Sequence, residues 1–316
     1  MADPSHFCGR LLPASYHAAE AAGQDGGALD DGDNARRSRY ESRWQRGGLT
    51  FLMSYNDLVL DVGSNDTAAS FVREKIGEIV KDPATASLLQ PNSHPIGTKR
   101  ICVDTDYFAA FNRPNVTLVD IKANPIDEIT ENAVRSGGTD YELDALVLAT
   151  GFDAMTGSVA RIDIRGRDGR TLNQKWAEGP RTYLGLMSEG FPNLFVVTGP
   201  GSPSVLSNMI VAIEQHIDWI SDCLNFMRKR GLGTMEATKE SEDQWVAHVN
   251  ELAAGTLYPQ ANSWYMGANV PGKPRIFMPY VGGVGPYRQI CNDVAAKGYQ
   301  GFAMAGAERL ESAAAF

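Results

Sequence analysis

The chain has 316 residues, of which 43% are hydrophobic and 21% charged, with a formal net charge of −9. That length and balance suit one large or two ordinary globular domains, and the acidity argues against nucleic acid or an anionic membrane as a main partner, since both need a basic footprint. Cys8, Cys102, Cys223 and Cys291 form no CxxC and the five histidines form no HxxxH or HExxH, so neither a disulfide framework nor a metal site is indicated.

In chain order, residues 1–35 are rich in Ala, Gly, Asp and Ser, as in 24-QDGGALDDGDNARR-37, and read as a disordered or unrelated leader. No basic segment followed by an apolar core opens the chain, so no signal peptide is visible. The most apolar long segment, 204–227, carries Glu214, Gln215, His216 and Asp218 and does not suit a membrane span. The expectation is a soluble, cytoplasmic protein.

Between 56 and 82, Phe71, Val72, Ile76, Ile79 and Val80 make one apolar stripe, which predicts a helix capped by Asn65-Asp66-Thr67 and stopped by Asp82-Pro83. Next comes 95-PIGTKRICVD-104. Its adjacent cations, Lys99 and Arg100, are either solvated surface or, facing a pocket, two holders of separate anions. The runs 116–121, 145–149 and 194–198 are predicted strands, with a Gly137-Gly138 turn between the first two. The second, in 144-DALVLATGFDAMTG-157, is apolar without alternation, which suits a parallel strand covered on both faces. Ligands gather at the carboxyl ends of such strands, yet the chain contains no GxGxxG loop.

After the third run, 199-GPGSPS-204 strips side chains from a turn and leads into a helix with apolar positions from Leu206 to Met227. Ser204 or Ser207 is expected to cap that helix, and Gly231 to end it. The turn is either a tight structural turn or a place where a ligand approaches backbone N–H groups. A further helix is expected over 239–254, with Trp245, Val249 and Leu252 on one face. In 262-NSWYMGANVPGKPR-275, Trp264 and Tyr265 are either packing anchors or part of a ligand lid.

Taken together, PIGTKR, FNRPNVTLVDI, ELDALVLATGFDAMTG, KWAEGPRTYLG, FPNLFVVTGPGSPSVLSNM, TLYPQANSWYMGANVPGKPR and YRQICNDVAAKGYQGF resemble the C-terminal part of the Baeyer–Villiger monooxygenases, the class B flavoprotein family. The resemblance runs from about Tyr40 to Met304. It implies an α/β fold: the C-terminal parts of two split Rossmann-like nucleotide-binding domains plus a helical segment. The N-terminal FAD half is absent, with both glycine loops. The family fingerprint of Phe-x-Gly-x-x-x-His-x-x-x-Trp type is absent too: 7-FCGRLL-12 begins like it, but Pro13 stands in the His position. The implied divisions are a leader (1–35), a helical subdomain (36–93), the end of an NADP-binding domain (94–143), a hinge (144–153) and the end of an FAD-binding domain (154–316).

The resemblance also implies roles. Arg100 matches the catalytic arginine, a permanent cation that stabilises developing negative charge in a dry site. Lys99 matches the residue that pairs with the 2′-phosphate of NADP. Trp264 matches the aromatic that closes over nicotinamide and substrate. Ser204, Val205, Leu206 and Met209 match the substrate pocket, Asn208 and Met209 the flavin's pyrimidine end, and Thr150, Gly151, Phe152 and Asp153 the hinge. FAD and NADPH are the implied cofactors, and a ketone, O2 and a missing N-terminal half the implied partners. Two readings stand side by side: a monooxygenase making esters or lactones, incomplete as a single chain, or a truncated non-catalytic relative that acts only by binding a partner.

Overall fold

The computed structural model describes residues 26–306. They fall into two units, Gly26–Phe152 and the chain from 153 onward. Most of the expected leader, 1–25, lies outside the described residues. The remainder, 26–35, is built into the first unit. Ala28 is fully buried there, and its N–H is held by the Asp57 carboxylate at 3.1 Å.

In the first unit, α1 (Asp33–Arg46) packs on α2 (Val62–Ile79). The core is an aromatic cluster around Tyr40, whose ring lies 5.5 Å from Phe51 and Phe71 and 5.6 Å from Tyr55. Leu58, Ala68, Ala69 and Ile96 close it. The expected helix is present, with a different start. Asp61 caps it by accepting the Ser64 N–H at 2.8 Å, which leaves Asn65, Asp66 and Thr67 inside. Asp82-Pro83 opens a new helix, α3 (Pro83–Leu89), with Asp82 as cap and Pro83 in the first turn, where its missing N–H costs nothing.

Strands β1 (Ile126–Ile129), β2 (Ala133–Ser136) and β3 (Thr139–Glu142) form an antiparallel meander in that order. Gly137 and Gly138 make its two-residue hairpin turn, at φ 56° and 76°, the positive values such a turn requires. The turn is where it was expected, but it joins β2 to β3. The runs 116–121, 145–149 and 194–198 are not strands, which corrects the expected parallel sheet. The fold remains mixed α/β, with antiparallel pairs in place of that sheet. Leu146, Val147 and Leu148 are 46%, 83% and 71% exposed. Among the described residues no strand offers them a ladder, and an apolar run becomes a strand only when its N–H and C=O groups find partners.

The second unit is built from α4 (Met209–Lys229), α5 (Lys239–Ala254), α6 (Val284–Ala296) and the antiparallel pair β4 (Leu232–Ala237) and β5 (Phe302–Gly306). Trp219, Cys223 and Met227 of α4, Trp245 and Val249 of α5, and Tyr287 and Cys291 of α6 meet over Met235 and the buried turn residues Leu184, Leu186 and Met187. Asn208 caps α4, not Ser204 or Ser207, by accepting the Ile210 N–H at 3.0 Å. Gly231, at φ 65°, follows its end as expected. The α5 boundaries match the sequence reading, with Thr238 as cap. β4 and β5 were missed because LGTMEA and FAMAG lack the β-branched run that marks a strand. Among the described residues, no helix is long and apolar enough to cross a membrane.

A buried strand residue replaced by lysine loses several kcal/mol, whereas exposed positions change stability by about 0.5 kcal/mol or less. Val147→Lys should therefore leave the urea midpoint of the chain unchanged while reducing its light scattering. A large drop in the midpoint would show that 145–149 is packed after all.

Candidate functional site

The proposed site residues divide between the units. Lys99, Arg100, Thr150, Gly151 and Phe152 belong to the first. Asp153, Ser204, Val205, Leu206, Asn208, Met209 and Trp264 belong to the second.

In the first unit the cationic loop is held from below by Asn65. This side chain is buried; its Nδ2 donates to the carbonyls of Leu58 at 2.5 Å and Ile96 at 2.9 Å, and its Oδ1 accepts the Ile96 N–H at 2.9 Å. Thr98, also buried, donates its hydroxyl to the Pro95 carbonyl at 2.6 Å. Gly97 sits at φ 85°, and a Cβ there would lie 2.7 Å from Leu52, so only glycine fits without a shift. This fixed turn carries half-buried Lys99 and exposed Arg100. Beside it, the His94 imidazole is held below its usual pKa, first by burial and then by the positive charges of Lys99 and Lys122. Three basic side chains thus share one local field. The sequence reading singled out neither His94 nor Lys122, and treated Asn65 as a cap. Only the adjacency of His94 to PIGTKR hinted at this.

Thr150, Gly151 and Phe152, which follow the 145–149 run, are exposed, Phe152 at 88%, with open space where a Gly151 Cβ would point. Asp153 behaves differently. Its carboxylate accepts from Lys273 Nζ at 2.5 Å, and the same ammonium donates to the Ala154 carbonyl at 2.9 Å. Lys273 belongs to the Gly/Pro-rich segment that holds Trp264, so Asp153 is tied to that loop. Tyr265 is the packing anchor there, buried with its ring 5.7 Å from Tyr258, whereas Trp264 is half-buried and 4.3 Å from the Tyr265 ring.

The 199–204 turn is closed on itself and on its surroundings. Gly201 N–H donates to Met278 O at 2.7 Å, Tyr280 N–H to Ser202 O at 2.7 Å, Thr182 Oγ1 to Pro200 O at 2.6 Å and Trp245 Nε1 to Gly201 O at 3.1 Å. A Cβ on Gly199 would stand 2.4 Å from the Gly185 carbonyl, and one on Gly201 would stand 3.1 Å from Trp245. The side-chain space of these glycines is filled by protein, which makes this a tight structural turn. It is not a phosphate cradle. Beyond it, buried Ser204 directs its hydroxyl toward the sulfurs of Met155 (3.7 Å) and Met209 (3.9 Å). Asn208 is exposed, with its side chain committed to capping α4.

No family model matches the chain. It is 44% identical over 272 residues to an acetone monooxygenase (methyl acetate-forming) of Gordonia sp. strain TY-5, covering 85% of this chain and 51% of that protein. It is 42% identical to a Baeyer–Villiger monooxygenase of Pseudooceanicola batsensis, covering 84% and 48%. A solved steroid monooxygenase bound to NADP superposes with a TM-score of 0.84 at 48% identity, over 90% of this chain and 53% of the other. The chain spans about half the length of the curated relatives it matches. The quoted segments by themselves look most like phenylacetone monooxygenase; the named matches are to acetone and steroid monooxygenases instead.

Two outcomes follow from the cationic loop. Lys99→Ala removes a positive neighbour, so the His94 pKa should rise when its ring protons are titrated by NMR; an unmoved titration would separate the two side chains. Asn65→Ala leaves the Ile96 N–H buried without its acceptor and should cost about 2 kcal/mol in urea unfolding, with amide exchange accelerating first at 95–100.

Proposed function

For a chain that is homologous to Baeyer–Villiger monooxygenases over about half their length, we propose that it is the C-terminal part of such an enzyme. In this reading it contributes the cationic loop, the substrate-side turn and the aromatic loop to an FAD- and NADPH-dependent oxidation of ketones to esters or lactones with O2. The observation that carries this reading is the exposed apolar run 145–149, followed by Thr150, Gly151 and Phe152. It has the composition of an interior strand and, among the described residues, no strand to pair with, as expected for a sheet whose other strands belong to sequence the chain does not span.

The described residues do not by themselves fit FAD. A dinucleotide needs a glycine turn with room for pyrophosphate at a helix start. Here the glycines at 199 and 201 are filled by protein, and the α4 start is capped by Asn208. The NADP 2′-phosphate is a better match to what is present, because Lys99 and Lys122 already raise the local positive potential around His94. Lys99 is assigned that phosphate as a charge-assisted donor. Arg100, one residue on, is assigned the stabilisation of developing negative charge at the reacting oxygen. Ser204, Val205, Leu206 and Met209 shape the substrate side, Asn208 and Met209 border the flavin, and Trp264 closes the pocket.

The alternative, a non-catalytic relative that only binds a partner, is favoured by the same missing cradle, and one experiment separates the two. The purified chain should carry no stoichiometric flavin. Co-expressed with the N-terminal half of the Gordonia acetone monooxygenase, it should yield a yellow complex that oxidises NADPH and forms an ester. Tight FAD in the chain alone would contradict the fit argument, and a colourless, inactive complex would favour the alternative.

In the active complex, Arg100→Ala should retain FAD and lower ester formation by roughly 10²–10³. Arg100→Lys should recover only part of that, since ammonium lacks the planar fork. Lys99→Ala should raise the KM for NADPH roughly ten- to hundredfold, the equivalent of about 1.5–3 kcal/mol. Turnover at saturation and the KM for NADH should stay unchanged.

A further inference from the structure

His216 lies fully buried in the middle of α4, and nothing assigned above uses it. Both of its ring nitrogens are engaged. Nδ1 accepts the backbone N–H of Thr198 at 2.9 Å. Nε2 lies 2.9 Å from Tyr287 Oη, and Tyr287 donates its own proton to the Leu184 carbonyl at 2.6 Å. An amide N–H can only donate, and the tyrosine proton is already committed. The network therefore assigns a neutral imidazole with its proton on Nε2. Burial lowers the His216 pKa to about 4. The titratable groups in the surrounding core, Tyr287 and Cys291 of α6 and Tyr280, are pushed up by burial and stay neutral. Among the described residues no charged group shifts His216, and it remains an acceptor toward Thr198 at neutral pH.

Thr198 is the strained member of this pair. Its φ is 53°, in the left-handed region where a β-branched residue is an outlier. Such a conformation persists only where the surroundings over-determine it, and it gathers at places that position something. Thr198 is the last residue before 199-GPGSPS, and Ser204 at the far end is also left-handed, at φ 36°. The middle of the turn is fixed by Met278, Tyr280 and Trp245. Its entry is fixed by His216.

We propose that His216 is a positioning residue: through the Thr198 N–H it sets the entry of the 198–208 segment, and with it the placement of Ser204, Val205, Leu206 and Asn208. What that segment serves rests on the function proposed above; the clamp itself does not.

The test is amide exchange by NMR on the whole chain, with three substitutions that separate the two ring nitrogens. His216→Asn keeps a carboxamide near the Nδ1 position. His216→Gln reaches the Nε2 position and abandons Thr198. His216→Phe keeps only a ring. Protection of the Thr198 amide should fall about tenfold in the Gln and Phe variants, the equivalent of one hydrogen bond, and be retained in the Asn variant. The β4 amides should be unchanged throughout. In the wild type, Thr198 protection should be lost as pH falls through about 4, because a protonated Nδ1 can no longer accept; in the Asn variant it should not. The wild-type titration decides the matter if a variant fails to fold.

In the complemented enzyme, His216→Gln should raise the KM for the ketone while FAD content holds. Equal loss of Thr198 protection in the Asn and Gln variants overturns the proposal; an unchanged ketone KM in the Gln variant, with Thr198 protection lost, overturns the substrate role given to the segment in the proposed function. Failure of the complex to bind FAD would strike the proposed function and leave the exchange result standing.

Discussion

Extended backbone is stable only where its N–H and C=O groups are paired, and most of this chain's architecture follows from where that pairing is found. β1 to β3 pair with one another through a two-residue glycine turn, and β4 pairs with β5 across a long sequence separation. The 145–149 run has stronger strand composition than any of these, yet it stays in solvent with Val147 83% exposed. Apolar content draws a segment inward only if something covers it. A strand is a property of two segments, and sequence describes them one at a time.

Where no neighbouring strand is available, polar side chains do the same work, Asn65 buried and Asn193 exposed. Asn65 satisfies both backbone groups of Ile96, as a ladder partner would, and so fixes the loop that ends in Lys99 and Arg100. In the other unit, Asn193 acts similarly against β4. Its N–H donates to the Met235 carbonyl, its Oδ1 accepts the Met235 N–H and its Nδ2 donates to Gly233. A side-chain amide carries a donor and an acceptor side by side, which is why asparagine can stand in for a strand edge. Replacing such a residue leaves a buried backbone group unsatisfied, a larger loss than the bond itself.

Close backbone approach has a single occupant at any one place. At Gly199 and Gly201 that occupant is the protein's own 185 carbonyl and Trp245 ring. These glycines bring a turn against its scaffold and leave no room for a phosphate. At Gly151 the corresponding space is open and its flanking run unpaired. The contrast separates a finished turn from an unfinished edge, and it underlies the proposal that the nucleotide cradle lies in sequence outside this chain.

The sequence by itself determined what depends on neighbours along the chain. The α5 boundaries, the glycine stop after α4, the Gly137-Gly138 turn and the buried stripe of α2 were legible because capping, positive φ and helical periodicity are local. The family likeness was legible because long ordered segments were intact. Tertiary structure alone decided the rest. It placed the caps at Asp61 and Asn208 in place of the expected ones, where those side chains accept the Ser64 and Ile210 N–H groups. It tied Asp153 to Lys273 across 120 residues and gathered Lys99 and Lys122 around His94. It also left 145–149 unpaired, since whether a run is an interior strand is settled by a partner in space, and no arrangement of residues within the run can supply one.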